Sequence, residues 1–244
     1  MQSSLARIDT QRIENLDNLT SSQLPSGPKL NLGCGPVQPE AWVNVDASLR
    51  SLLATKLSWL DGLLVTTGVF RPTEYNKRTT TYHNLAKGLP YPDNSVACVY
   101  AGELWEHFEY ADASRLTKEV YRVLKPGGVL RVCVPDGPTF WGKYLDLYRA
   151  EMAKPPEERD AKKLNAQTQL FFNDICTHRQ CLMSIGHLHK WNFDEVQLAD
   201  LLQKNGFSAV QRMAFHDSRI PDVALVERSD FLIVEGVKGG TASA

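Results

Sequence analysis

The sequence has almost no net charge, with 27 Lys and Arg against 28 Asp and Glu over 244 residues, a formal balance of −1. That leaves no general attraction for a polyanion and excludes nucleic acid or an anionic membrane as an expected partner. Long apolar runs are missing as well. Uncharged stretches such as Gly62 to Phe70 fall far short of the roughly 18 apolar residues of a membrane span. The opening MQSSLARIDTQRIENLDNL is charged throughout and has no apolar centre of a secretory leader, so a cytoplasmic location is expected. Cysteine is sparse: Cys34, Cys98, Cys133, Cys176 and Cys181 make an odd set at irregular spacing. Buried thiols in a reducing compartment are the expectation, not a disulfide framework.

A third glycine is also lacking where one class of cofactor needs it. Lys29 to Asp46 reads KLNLGCGPVQPEAWVNVD: an apolar strand, a Gly33-Cys34-Gly35 turn, and a second apolar run ending on an acid. Two strands joined by a glycine turn, with a carboxylate at the tip of the second, form a nucleoside site. The dinucleotide fingerprint wants glycine at position 38, which is Gln38, and an acid roughly 20 residues on. Asp46 follows Gly33 by only 13 residues. A nicotinamide-dependent enzyme is therefore disfavoured. Asp46 is read as accepting from both ribose hydroxyls; capping the next helix is its ordinary alternative.

What is present suits one large domain, with 43% hydrophobic and 23% charged residues. Leu5, Ile8, Ile13, Leu16 and Leu19 predict an N-terminal helix or arm over residues 1–28. Strands are expected at 29–33 and 42–46. The six residues Pro36 to Ala41, two of them proline, leave no room for a crossover helix. Leucines across 49–64 predict one or two helices, and TTTYHNL at 79–85 a third strand. VACVY at 96–100 reads as a buried strand, 104–124 as a helix stopped by Lys125-Pro-Gly-Gly, and VLRVCV at 129–134 as the next strand. Residues 137–190 form a helical cap insertion broken at Pro155-Pro156, a block that usually covers a site. A helix at 193–204 and strands at 208–215 and 230–237 close a domain of 29–237, leaving a disordered tail at 238–244. The fold class is α/β: a Rossmann-like, doubly wound, seven-stranded, mostly parallel sheet with an antiparallel last strand.

The ordered motifs LNLGCG, VNVD, LPYPDNSVACVYAGELWEH, EVYRVLKPGGVLRVCVPD and HKWNFDEVQLADLLQKNGF resemble the class I S-adenosylmethionine-dependent methyltransferases. The similarity is closest to a branch of small methyltransferases found alongside polysaccharide and glycosyl-transfer functions. The resemblance implies S-adenosyl-L-methionine as cofactor. Leu32, Gly33, Cys34 and Gly35 would face its methionine part through backbone amides, and Asp46 would hold the ribose. Asn84 and Leu85 would contact adenine, while Ala101 and Gly102 would pass beside the sulfonium. Departures from the pattern fall at Asn31 and Asn84, where acids are common, at Ala97, and at Glu103, where His is frequent.

The implied reaction is in-line displacement on the methyl carbon by an acceptor hydroxyl oxygen, which needs alignment and a base. Glu103, His107 and His189 are the candidates for that base; Glu106 reads as a helix-dipole residue. AGELWEH stands where base amino-methyltransferases carry an Asn/Asp-Pro-Pro-Tyr motif, so the acceptor is read as a small molecule or glycan. Cys176, His178, Cys181 and His187 fit no usual zinc spacing, and no metal is assigned. Trp141, Tyr144, Tyr148, Phe171 and Phe172 are read as the core of the insertion, with sugar stacking as the alternative. The rival to an enzyme is a non-catalytic adenosyl-binding or scaffold protein that kept the fold. The oligomeric state is not readable from the sequence.

Overall fold

The structure is a computed structural model that describes residues 24–69, 80–173 and 188–239. The N-terminal helix expected at 3–19, the loop through 71–78, the sulfur and imidazole cluster at 176–187 and residues 240–244 of the tail expected at 238–244 lie outside the described residues, whereas Lys238 of that tail ends a strand.

Seven strands form one sheet in the order β3-β2-β1-β4-β5-β7-β6. They are β1 (Lys29–Leu32), β2 (Val43–Asp46), β3 (Thr80–Tyr82), β4 (Val96–Gly102), β5 (Leu124–Val134), β6 (Phe207–Arg212) and β7 (Leu232–Lys238). Pairing is parallel from β3 to β5, and β7 runs antiparallel to both β5 and β6. This is the Rossmann-like α/β sheet, whose strand order reverses between β1 and β4. Ligands bind such sheets at the carboxyl ends of the strands beside that switch point.

The strands alternate faces. Val99 and Ala101 of β4, Leu130, Val132 and Val134 of β5, and Leu232 and Val234 of β7 join one core. Helix α3 (Tyr110–Val123) packs on that core through Ala113, Leu116, Val120 and Val123, and α6 (Glu195–Lys204) through Leu198, Leu201 and Leu202. Their i, i+3, i+4 spacing puts those side chains on one stripe of each helix. The opposite face buries Cys98, Tyr100, Val129, Cys133, Ile233 and Val237 against Trp42, Ile220, Val223 and Val226. Helices α1 (Leu49–Lys56) and α2 (Ser58–Thr66) follow β2. Two further helices, α4 (Gly137–Met152) and α5 (Ala161–Asn173), separated at Pro155-Pro156, lie between β5 and α6.

Four details differ from the sequence reading. β3 spans only Thr80–Tyr82, because Asn84 starts a 3₁₀ turn at Leu85–Lys87. The helix expected over 104–124 is a 3₁₀ turn at Trp105–His107 followed by α3. β5 begins at Leu124, five residues early. Lys125-Pro-Gly-Gly runs inside the strand across a register shift opposite Val96–Cys98, and a Cβ at Gly128 would meet the Ala97 carbonyl at 2.9 Å. Finally, Trp141 and Tyr148 are 42% and 44% exposed, so they do not form the core of the insertion.

The short β1–β2 connection is held by amides. Asn31 and Asn44, paired across β1 and β2, are hydrogen-bonded side chain to side chain at 3.0 Å. Asn31 Nδ2 donates to the Val37 carbonyl at 2.9 Å, and Asn44 Nδ2 to those of Pro39 and Trp42. An acid at position 31 has no N–H to give. Asparagine there holds the proline-bearing loop.

Candidate active site

Register aligns the site. Leu32 of β1 sits opposite Val45 of β2 and Ala101 of β4, so the glycine turn, Asp46 and Gly102 leave the sheet at one level. Gly33 and Gly35 have φ of +65° and +51°, the left-handed region that only glycine enters without strain. A Cβ on Gly33 would lie 3.1 Å from Leu104, and one on Gly35 would lie 3.1 Å from the Arg228 guanidinium. A side chain at either glycine would be strained by the positive φ and would press on its neighbour.

The amides of this turn are spent inside the protein. Gly33 N and Cys34 N donate to the Val45 carbonyl at 2.8 and 3.2 Å, and Gly35 N donates to Asp46 Oδ2 at 3.0 Å. This differs from the expectation that amides 33–35 face a ligand: all three donate inside the protein. The buried Asp46 carboxylate also accepts from Ser48 N at 2.6 Å through Oδ1. Ser48, not Asp46, caps α1, accepting from Ser51 N. A carboxylate has about four acceptor positions; two serve the backbone, and the remainder suit a ribose diol.

Gln38 occupies the place of the missing third glycine. Its Nε2 donates to the Gly35 carbonyl at 2.6 Å, and its Oε1 accepts from Thr80 Oγ1 at 2.6 Å, tying the turn to β3. Leu32 and Cys34 are fully buried beneath the turn; burial, followed by the nearby Asp46 charge, pushes the Cys34 thiol far above the ordinary thiol range. Asn84 spends its side-chain oxygen on the Ala86 amide at 3.0 Å, so the acceptor expected to meet an exocyclic amine is engaged in capping the 3₁₀ turn. Leu85 is buried and lines, with Ala86, Phe108 and Leu116, a groove of about 220 Å³.

At the end of β4, Ala101 and Gly102 are buried, and a Cβ on Gly102 would collide with the Tyr100 hydroxyl. Glu103 then takes a φ of +54°. A non-glycine residue held there costs of order 1–3 kcal/mol and is a recognised mark of functional sites. Its carboxylate accepts from Ser229 Oγ at 2.5 Å, and its amide donates to the Cys133 carbonyl.

The 3₁₀ turn that follows brings Glu106 and His107 to His189. One donor atom of each lies within 4.8 Å of the other two. The two imidazoles meet edge to face at 5.1 Å between centroids. The Glu106 carbonyl accepts the amides of Lys190 and Trp191 at 2.7 and 3.1 Å, fixing the His189 segment on the turn. Burial pushes the Cys133 thiol up to about 12, and the charges of Glu227, Glu103 and Glu106 add to it.

Sequence reasoning missed Arg228 and Ser229, which reach Gly35 and Glu103 from a loop far along the chain. It also read Glu106 as a helix-dipole residue, although it is 2% exposed inside a side-chain cluster. No local signal marks Arg228 and Ser229.

Residues 30–132 match a family model described as a methyltransferase domain. No curated protein matches the chain. Among solved structures, the fold is similar to a SAM-dependent methyltransferase of Thermotoga maritima: 18% identity, 95% of this chain and 96% of that one covered, TM-score 0.41. It is also similar to SAM-dependent methyltransferases from Methanosarcina mazei: 16% identity, 90% and 96% covered, TM-score 0.48. The matched span carries the glycine turn, Asp46, Asn84, Leu85 and β4 through Glu106, and it supports S-adenosylmethionine as cofactor. No described helix is long and apolar enough to cross a membrane.

Proposed function

We propose that the chain transfers a methyl group from S-adenosylmethionine to a hydroxyl oxygen of a small-molecule or glycan acceptor. The observation that carries this reading is the register of β1, β2 and β4. It sets a side-chain-free glycine cradle, a buried carboxylate and the strained Glu103 side by side at the strand-order reversal. Asp46 holds the ribose through its remaining acceptor positions, the Gly33–Gly35 turn receives the aminoacyl part, and the exposed Arg228 stands beside Gly35 to pair with its carboxylate. Leu32 and Cys34 support the turn from below, and Leu85 gives an apolar wall for adenine, with Asn84 at its edge. When bound, the cofactor supplies an electrophilic methyl carbon that needs no further activation.

The chain's own task is alignment and proton removal. Glu103, held by Ser229 next to Ala101 and Gly102, is positioned to take the acceptor proton. His107 and His189 border the acceptor side. Beside them, Trp191 Nε1 and both polar atoms of the Asn192 amide are buried with no hydrogen-bond partner among the described residues, which favours a polar acceptor in contact with 189–192.

Calorimetry with S-adenosylmethionine and S-adenosylhomocysteine tests the reading, with Asp46→Ala as control. Absence of binding at millimolar concentration sinks it. Binding without turnover across a panel of hydroxylated acceptors returns the chain to the non-catalytic reading, and NADH competing at the same site points to a nicotinamide enzyme.

A further inference from the structure

We propose that Glu106, His107 and His189 form a binding site for a divalent transition-metal ion of the zinc class. Two imidazoles and one carboxylate converge to within 4.8 Å, and this ligand set leaves at least one coordination position open to water or a substrate oxygen.

The site is built from the backbone outward. Glu106 and His107 lie on the 3₁₀ turn Trp105–His107, and the amides of Lys190 and Trp191, by donating to the Glu106 carbonyl, hold the His189 segment against that turn. His107 Nδ1 lies 3.4 Å from the Leu188 carbonyl. Glu106 and His189 are 2% and 8% exposed. A cation there would sit between a buried carboxylate and two imidazoles, largely out of contact with water. Zinc bonds of about 2.0–2.2 Å put tetrahedral donors about 3.4 Å apart, so the cluster must contract. Rotation about χ1 and χ2 of the histidines supplies such a movement.

The ion's placement on the acceptor side rests on the methyl-transfer reading, where it would bind the acceptor oxygen and lower its pKa. Its binding does not rest on that reading.

The test uses the full chain, stripped with a chelator and titrated with Co²⁺, read by its visible d–d absorption and by displacement with Zn²⁺. One Co²⁺ per chain, displaced by one Zn²⁺, is expected. His107→Ala and His189→Ala should each weaken binding at least tenfold, while Lys118→Ala, on the exposed side of α3, leaves it unchanged. His107 is half-buried on a short turn, and circular dichroism confirms that its variant is folded. A folded wild-type chain without the absorption overturns the proposal, as does absorption undiminished in both histidine variants. S-adenosylmethionine calorimetry on the same preparations separates the two readings. Cofactor binding without the cobalt band refutes the metal site alone, and a variant-sensitive band without cofactor binding supports it while the methyl-transfer reading fails.

Discussion

Asp46 Oδ2 accepts the Gly35 amide at 3.0 Å, so the acid that ends β2 closes the glycine turn that ends β1. One carboxylate therefore has two duties, shaping the cradle and meeting the ribose. Asp46→Ala should lower adenosyl-cofactor affinity more than tenfold. It should also destabilise the fold by about 1.5–3 kcal/mol, the usual worth of hydrogen bonds to a charged group. Calorimetry and urea unfolding of the same sample read both.

Gln38→Gly completes a three-glycine pattern on paper but removes the bridge from the Gly35 carbonyl to Thr80. A loss of about 1–2 kcal/mol in urea unfolding is expected from two hydrogen bonds. NADH should remain a non-binder, because Asp46 still stands too early in the chain.

Glu103 gives a direct measure of stored backbone strain. Glu103→Gly and Glu103→Ala both lose the Ser229 contact, yet only glycine relaxes at φ +54°. The glycine variant should be the more stable of the two by about 1 kcal/mol in thermal unfolding. Both should have lost most turnover with cofactor affinity retained.

On the sheet face away from α3 and α6, Arg131 is fully buried between Glu227, at 2.7 Å, and Glu235, at 2.8 Å. Arg219 completes the group at 3.4 Å from Glu235. Arg131→Met leaves two buried carboxylates facing one remaining cation. It should cost about 3–5 kcal/mol, the range for breaking a buried pair from one side, measured by urea unfolding.

Three buried thiols predict alkaline lability. Burial pushes Cys98 and Cys133 from 9.0 to about 12, and Cys34 in the same direction. The unfolded chain releases these protons first, so their contribution is complete below pH 9 and falls steadily as pH rises toward 12. Urea midpoints should drop across that window. The three Cys→Ala substitutions together should flatten the decline relative to the wild type.

The sheet was legible because its strands are short apolar runs with turn residues between them. The missing crossover helix followed from counting Pro36 to Ala41. Asp46 and the glycine turn were legible because they are close in sequence. What lay hidden depends on contacts between distant segments. Arg228 and Ser229 reach the site only because β7 pairs with β5, and nothing local marks them. The Glu106 cluster needs His189 delivered from beyond the insertion, and no periodicity encodes that meeting. The pattern assigns the amides of Gly33 to Gly35 and the oxygen of Asn84 to a ligand, whereas the Val45 carbonyl, the Asp46 carboxylate and the Ala86 amide already engage them.

The Arg131 cluster bears on more than stability. Glu227 immediately precedes Arg228 and Ser229, and its carboxylate is held on Arg131 at the centre of the sheet. The segment that reaches over the glycine cradle is thus tethered from the opposite face, like a strap buckled behind a panel. Insertions or deletions between Glu227 and Leu232 would shift both residues out of phase with Gly35 and Glu103. Variation in acceptor preference is freer to accumulate in the insertion than in this loop, whose length is set by an anchor outside the site.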